Sequence, residues 1–188
     1  MRVSRHVLVV ALVALPLCLS SLADAQQSDL VVAEHVLSPQ WKQLSRRAGM
    51  IFAGTVLRTA PAPQIATNPA VVTQTVASEA ADPGMVPAVQ LCFRVDTAIA
   101  GVEQGQILTI REWVGALSMH RPMRTGQHIL IFLYPTSRLG LTSPVGGSLG
   151  QVALDANGNV ARHEKVPADE EIVSVLQLER AIRSAREE

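Results

Sequence analysis

The residues most able to do chemistry lie in Gly146-Gly147-Ser148-Leu149-Gly150, which fits the G-x-S-x-G pattern around a serine nucleophile. In that pattern a sharp turn between a strand and a helix presents the hydroxyl to a histidine base. His120 precedes the motif and His163 follows it. The segment after it, Gln151 to Leu154, favours a strand over a helix. A small exported serine hydrolase that uses Ser148 with His163 or His120 is therefore the alternative function.

Histidine spacing does not predict a metal site or a bound cofactor. Outside the first 25 residues the histidines are His35, His120, His128 and His163. None stands in an H-x-x-x-H pattern, and there is no C-x-x-C pattern. His120 and His128 could approach each other across a hairpin-like connection, but zinc sites need a third protein ligand. We expect no metal and no cofactor.

Arg111 and Trp113 form a candidate partner surface. Both lie on one predicted strand, and both residue types are frequent at binding hot spots. The alternative for Trp113 is packing in the core, because a large aromatic side chain in a strand usually packs.

Cys92 is the single cysteine that follows the N-terminal segment, so no intramolecular disulfide is expected. It is either a small apolar side chain in a packed wall or an exposed thiol that links two copies through an intermolecular disulfide.

Residues 1–25 have the three-part layout of a secretory signal peptide. Two arginines precede an apolar run from Val7 to Leu19, which is too short to span a bilayer. Ala23-Asp24-Ala25 then offers small residues at a cleavage site. We expect the mature protein to begin at Gln26 and to be periplasmic or extracellular.

The composition limits the classes of partner. The chain has 16 basic and 16 acidic residues, and no basic run interleaved with aromatic residues, so nucleic acid is not expected. No segment after the N-terminal one is apolar for long enough to span a membrane. Residues 26–188 suit one globular domain. Another exported protein is the expected partner, and the sequence leaves the oligomeric state open.

Apolar patterning predicts a β-rich domain. Alternating or continuous apolar runs indicate strands, and Asn157-Gly158 predicts a tight hairpin turn. The expected strands are 50–57, 89–99, 107–114, 128–134, 151–154 and 159–162. A short helix over 40–48 precedes them, and a longer C-terminal helix within 167–188 follows. The predicted fold class is α+β, a small antiparallel OB-like β-barrel of five or six strands with these two helices.

A long connection is expected over residues 59–87, which are rich in Pro, Ala and Thr. A structureless stretch of that length inside a compact domain is either disordered or functional. The functional interpretation is a projecting loop that contacts a partner.

The order of these elements resembles the secreted netrin-like domains, the OB-type barrels that include the tissue inhibitors of metalloproteinases. The resemblance covers residues 49–162 and rests on Ala53-Gly54-Thr55-Val56, Phe93-Arg94-Val95 and Gly126 to Phe132. It implies a barrel architecture and a bias toward protein binding. In that family an N-terminal cysteine, fixed by disulfides, chelates the protease zinc. This chain has Gln26 at its expected start, so no inhibitory residue carries over.

The leading functional interpretation is a non-enzymatic exported binding module. It follows from the export signal, the expected β-rich domain and the lack of convergent catalytic groups in the sequence. Recognition would use the loops, and the partner is another protein or a surface component.

Overall fold

A computed structural model of the chain describes residues 31, 33–66, 85–161 and 172–187. Five of its elements are the strands β1 (Met50–Ala66), β2 (Met85–Ala100), β3 (Ile107–Trp113), β4 (His128–Leu133) and β5 (Gln151–Leu154). They form one antiparallel sheet in the order β3-β2-β1-β4-β5. Together with the helices that pack on this sheet, they confirm the predicted α+β class.

The predicted closure of the sheet into a barrel is wrong for the described residues. β3 and β5 are the two edge strands, and no backbone pairing joins them there. Two features keep the edges apart. β5 has only four residues, and the carbonyl of Arg111 in β3 already accepts the N–H of Thr142 at 2.9 Å. The connection from β4 to β5 therefore occupies part of the edge that closure would need.

The expected loop over 59–87 is shorter at both ends, because β1 and β2 continue as a long antiparallel pair. Their pairing extends to Ala66 opposite Met85. β4 pairs with only the first part of β1, so Pro61 and Pro63 lie where the strand has a free edge. An edge strand tolerates a residue without an N–H group. The residues between Ala66 and Met85 lie outside the described residues.

Apolar side chains form a layer on each face of the sheet. On one face, α1 (Trp41–Arg47) and α2 (Val175–Glu187) cover β1 and β4. The opposite layer, called the inner layer below, includes Phe52, Val56, Leu91, Phe93, Ile110, Met123, Ile129, Ile131 and Leu133. Its described buried members come from four strands and one connection, with none from a helix, yet Phe52 and Phe93 are fully buried. The sheet must therefore curve around this layer.

The C-terminal helix α2 begins later than the start of the predicted range because of a capping box at Ser174. Its Oγ accepts the N–H of Gln177 at 3.4 Å, and Gln177 Oε1 accepts the N–H of Ser174 at 2.8 Å. These two bonds satisfy backbone donors that a helix start leaves free.

Replacing Ser174 with alanine is expected to lower the free energy of unfolding by about 1 kcal/mol, because it removes the side-chain cap. Urea denaturation measures this loss. Ser184→Ala is the matched control within the same helix, where alanine is the better helix former. An equal loss in both variants would contradict a specific capping role.

Candidate functional site

A cleft of about 320 Å³ opens between two short 3-10 helices, η1 (Val114–Met119) and η2 (Gly147–Gly150). η1 follows β3 directly, and η2 leads into β5. The cleft therefore lies beside the ends of the two edge strands. It is lined by Ala116, Met119, His120, Tyr134, Ser143, Pro144, Gly146 and Gly147.

Two glycines let η1 and η2 approach each other. Gly146 and Gly147 have φ values of 68° and 65°, in the left-handed region that favours glycine. A Cβ on Gly147 would lie 2.5 Å from the carbonyl oxygen of Met119. No side chain fits there, so these glycines shape the cleft.

Four exposed apolar side chains line this cleft or belong to the segments beside it, and we call them the apolar rim. Trp113, Met119, Tyr134 and Leu149 are 48%, 68%, 37% and 47% exposed. Met119 and Tyr134 line the cavity, Leu149 lies next to Gly146, and the Trp113 ring covers the Cα of Gly115 at the start of η1. Clustered exposure of this kind is uncommon on a soluble protein unless the surface is used.

One wall of the cleft is formed by His120, which belongs to a buried pair with Glu112. His120 Nε2 lies 2.8 Å from Glu112 Oε1, and the two side chains are 1% and 0% exposed. Alternation along β3 explains how Glu112 becomes buried. Ile110 and Glu112 share the face toward the inner layer, whereas Arg111 and Trp113 lie on the outward face.

Burial raises the pKa of Glu112 above its ordinary value of 4.5, because an apolar interior disfavours a carboxylate. The charge and the hydrogen bond of His120 act in the opposite direction. Glu112 Oε2 is also buried, and it has no hydrogen-bond partner among the described residues. The pair is therefore held against a desolvation cost, which is frequent where a group has a function.

The second ring nitrogen of His120 connects the pair to β5. Nδ1 lies 3.0 Å from Gln151 Nε2 and 3.0 Å from the carbonyl oxygen of Arg121. A neutral Nδ1 accepts a hydrogen bond from the Gln151 amide, and a protonated one donates to the carbonyl. Glu112 belongs to β3 and Gln151 is the first residue of β5. The polar chain Glu112–His120–Gln151 thus joins the two edge strands.

Ser148 is exposed on η2, and in the described part of the chain no hydrogen bond joins it to His120. Both nitrogens of that ring face other partners. His163 lies outside the described residues. The motif stands on a 3-10 helix that leads into a strand, whereas a nucleophile elbow leads from a strand into an α-helix. The hydrolase alternative keeps only its sequence motif as support.

The other residues singled out from the sequence lie apart from one another. Trp113 is exposed and Arg111 is half-buried on the outward face of β3, and Trp113 directly precedes η1. Cys92 is half-buried on β2 with its Sγ 3.8 Å from the Thr109 hydroxyl. An intermolecular disulfide through Cys92 stays a prediction. His128 Nδ1 lies 3.4 Å from the hydroxyl of Thr55 in β1.

Sequence reasoning did not select Glu112 or Gln151 as site residues. The sequence does contain a signal for Glu112. It follows Ile110 by two positions, and side chains two positions apart on a strand lie on the same face, which here is the buried one. Gln151 carries no comparable signal, since its contact joins residues 31 positions apart.

Among the described side chains, no set of three or more His, Cys, Asp or Glu residues is placed to hold a metal ion. No helix within the described ranges is long and apolar enough to cross a membrane. No protein family, curated protein or solved structure matches this chain. The chemistry of the cleft must therefore be inferred from its own geometry.

Proposed function

We propose that this protein is an exported, non-enzymatic binding module that docks an apolar side chain of a partner protein in the η1–η2 cleft. The apolar rim carries the proposal, because exposed Met and Tyr side chains line the cleft, an exposed Leu lies on η2 and an exposed Trp directly precedes η1. Aromatic residues and Met are enriched in the buried centre of protein interfaces. Support for export comes from the signal-peptide pattern of residues 1–25.

The charges beside the cleft favour a partner segment that carries carboxylates. Arg121 directly follows the lining residue His120, and the carbonyl of Arg111 accepts the N–H of Thr142, which precedes the lining residue Ser143. Neither arginine forms an ion pair with a described residue. The single acidic residue within 106–154, Glu112, is fully buried. An apolar side chain flanked by Asp or Glu would therefore meet a complementary surface.

An OB-type topology belongs to the same proposal, with the five-stranded antiparallel sheet centred on β1 and open between β3 and β5 in the described residues. The netrin-like resemblance stays a hypothesis that rests on the sequence pattern of residues 49–162. The proposed docking does not use the zinc-chelating mechanism of the metalloproteinase inhibitors.

Site-specific photo-crosslinking tests the docking proposal. A photoreactive amino acid replaces Met119 in the cleft or, as the control, Leu176, which is also exposed but lies on α2. We expect a partner protein to be crosslinked in the native compartment from position 119 and not from position 176. Met119→Asp should weaken capture of that partner roughly 30-fold, the size of a typical hot-spot loss of 2 kcal/mol.

Leu176→Asp adds the same charge at the control position and should leave capture unchanged. Equal crosslinking from both positions would contradict docking in the cleft, and so would full capture by Met119→Asp.

A further inference from the structure

We infer that the polar chain Glu112–His120–Gln151 is a proton-dependent latch that holds η1 in place and thereby sets the shape of the cleft. The inference rests on the proposed function for its biological meaning. The latch itself can be tested without a partner.

The position of the polar chain Glu112–His120–Gln151 in the sheet is the first reason for this inference. Glu112 on β3 and Gln151 on β5 are linked through His120, across the gap where no backbone pairing joins the described edge strands. His120 directly follows η1, so the buried pair anchors the C-terminal end of that helix. Release of His120 would displace two lining residues together, His120 and Met119.

The weak packing of η1 is the second reason. None of its six residues is buried. A segment with few buried apolar contacts opens at low free-energy cost. The buried imidazole after η1 therefore contributes much of what keeps the helix docked.

The proton content of the pair decides how stable the closed latch is. With Glu112 protonated at Oε2, its Oε1 accepts the Nε2–H of a neutral His120, whose Nδ1 accepts a hydrogen bond from Gln151, and the buried pair is neutral. Removal of that proton leaves the Glu112 carboxylate charged in an apolar interior, where its Oε2 has no described donor. The closed state should therefore weaken as the pH rises.

The linkage between proton binding and folding gives the same direction of pH dependence for Glu112 itself. A carboxyl whose pKa is raised by folding contributes stability at low pH, and this contribution is lost as the pH rises through the folded-state pKa.

Within the described ranges, few other charges face the pair from the elements packed around it. Tyr134 contributes a phenol to the lining of the cleft. β5 contributes the uncharged Gln151, and β2 places apolar Val89 opposite Glu112. Arg111 and Arg121 lie on the same segment as the pair. Their positive charges favour the carboxylate and so oppose release.

Fluorine NMR of the full chain labelled with 5-fluorotryptophan tests the latch. The chain has two tryptophans. Trp113 precedes η1 and reports on the latch, whereas Trp41 is buried in the helix-side layer and reports on global unfolding. As the pH rises from about 5, above the ordinary pKa of a glutamate carboxyl group, to about 9, we expect the Trp113 resonance to shift and the Trp41 resonance to stay.

Two variants connect that shift to the polar chain. Glu112→Gln keeps the side-chain shape but removes the carboxylate, and it should abolish the shift of Trp113. His128→Gln is the matched control, because His128 is not part of the polar chain, and this variant should retain the shift of Trp113. Should Glu112→Gln fail to fold, Gln151→Ala is the second variant, because it removes the hydrogen bond between His120 and β5. In that variant Trp113 should already show at low pH the position that the unaltered protein reaches at high pH.

Three results would overturn the latch: no pH-dependent shift of Trp113, an unchanged shift in Glu112→Gln, or parallel shifts of Trp41 and Trp113. Failure of the latch is distinguishable from failure of the docking proposal. Crosslinking that depends on Met119 without any Trp113 shift would remove the latch alone. A shift that requires Glu112, without crosslinking from position 119, would remove the docking alone.

Discussion

Replacing His120 with alanine is expected to lower the free energy of unfolding by about 3–5 kcal/mol, because it leaves the buried Glu112 carboxylate without its partner. At about 2–4 °C per kcal/mol for a domain of this size, the unfolding temperature should fall by roughly 10 °C. Thermal and urea denaturation measure the loss. The loss should be smaller at acid pH, because a protonated Glu112 needs no counter-charge.

A double variant separates the unpaired charge from simple loss of packing. Glu112→Leu combined with His120→Leu replaces the pair with apolar side chains, and it should recover stability to within about 1 kcal/mol of the unaltered protein. His128→Ala removes a half-buried histidine that has no ion pair in the described part of the chain, and it should cost less than about 1 kcal/mol. A small loss in His120→Ala, or a double variant as unstable as the single one, would contradict the role assigned to the pair.

The strands were largely predictable from local apolar patterning. Continuous apolar runs mark the start of β1 and the whole of β4, and these segments are buried on both faces of the sheet. The extension of β1 through Pro61 was not predictable, because it depends on where β4 stops pairing. Local proline content carries no information about a distant strand edge.

The candidate site was only partly predictable, because it also depends on contacts between residues that are distant in the sequence. His120 was selected from its residue type, but as a base for Ser148. Its actual partners, Glu112 and Gln151, depend on how η1 and β5 are placed, and that placement is set by non-local contacts. The glycines before Ser148 shape the cleft, since a Cβ on Gly147 would lie 2.5 Å from the carbonyl oxygen of Met119 in η1.

Replacing Gly54 with alanine is expected to destabilise the sheet strongly, because β1 and β2 approach each other closely at this position. A Cβ on Gly54 would lie 2.4 Å from the carbonyl oxygen of Arg94. The register shifts at this point, so that Asp96 is the extra residue of a β-bulge opposite Gly54. Gly54→Ala must therefore separate two central strands, and it should cost about 3 kcal/mol or more in the free energy of unfolding. Urea denaturation measures the loss.

Gly105→Ala is the matched control, because a Cβ there meets nothing within 4 Å and the penalty comes only from its φ of 79°. That variant should lose about 1 kcal/mol, the ordinary cost of alanine in the left-handed region. The bulge also explains why Gly54 matters to polar contacts on the sheet surface. It brings Asp96 Oδ2 to 2.7 Å from the Thr55 hydroxyl. Equal losses in the two variants would mean that backbone conformation, and not the close strand approach, selects glycine at position 54.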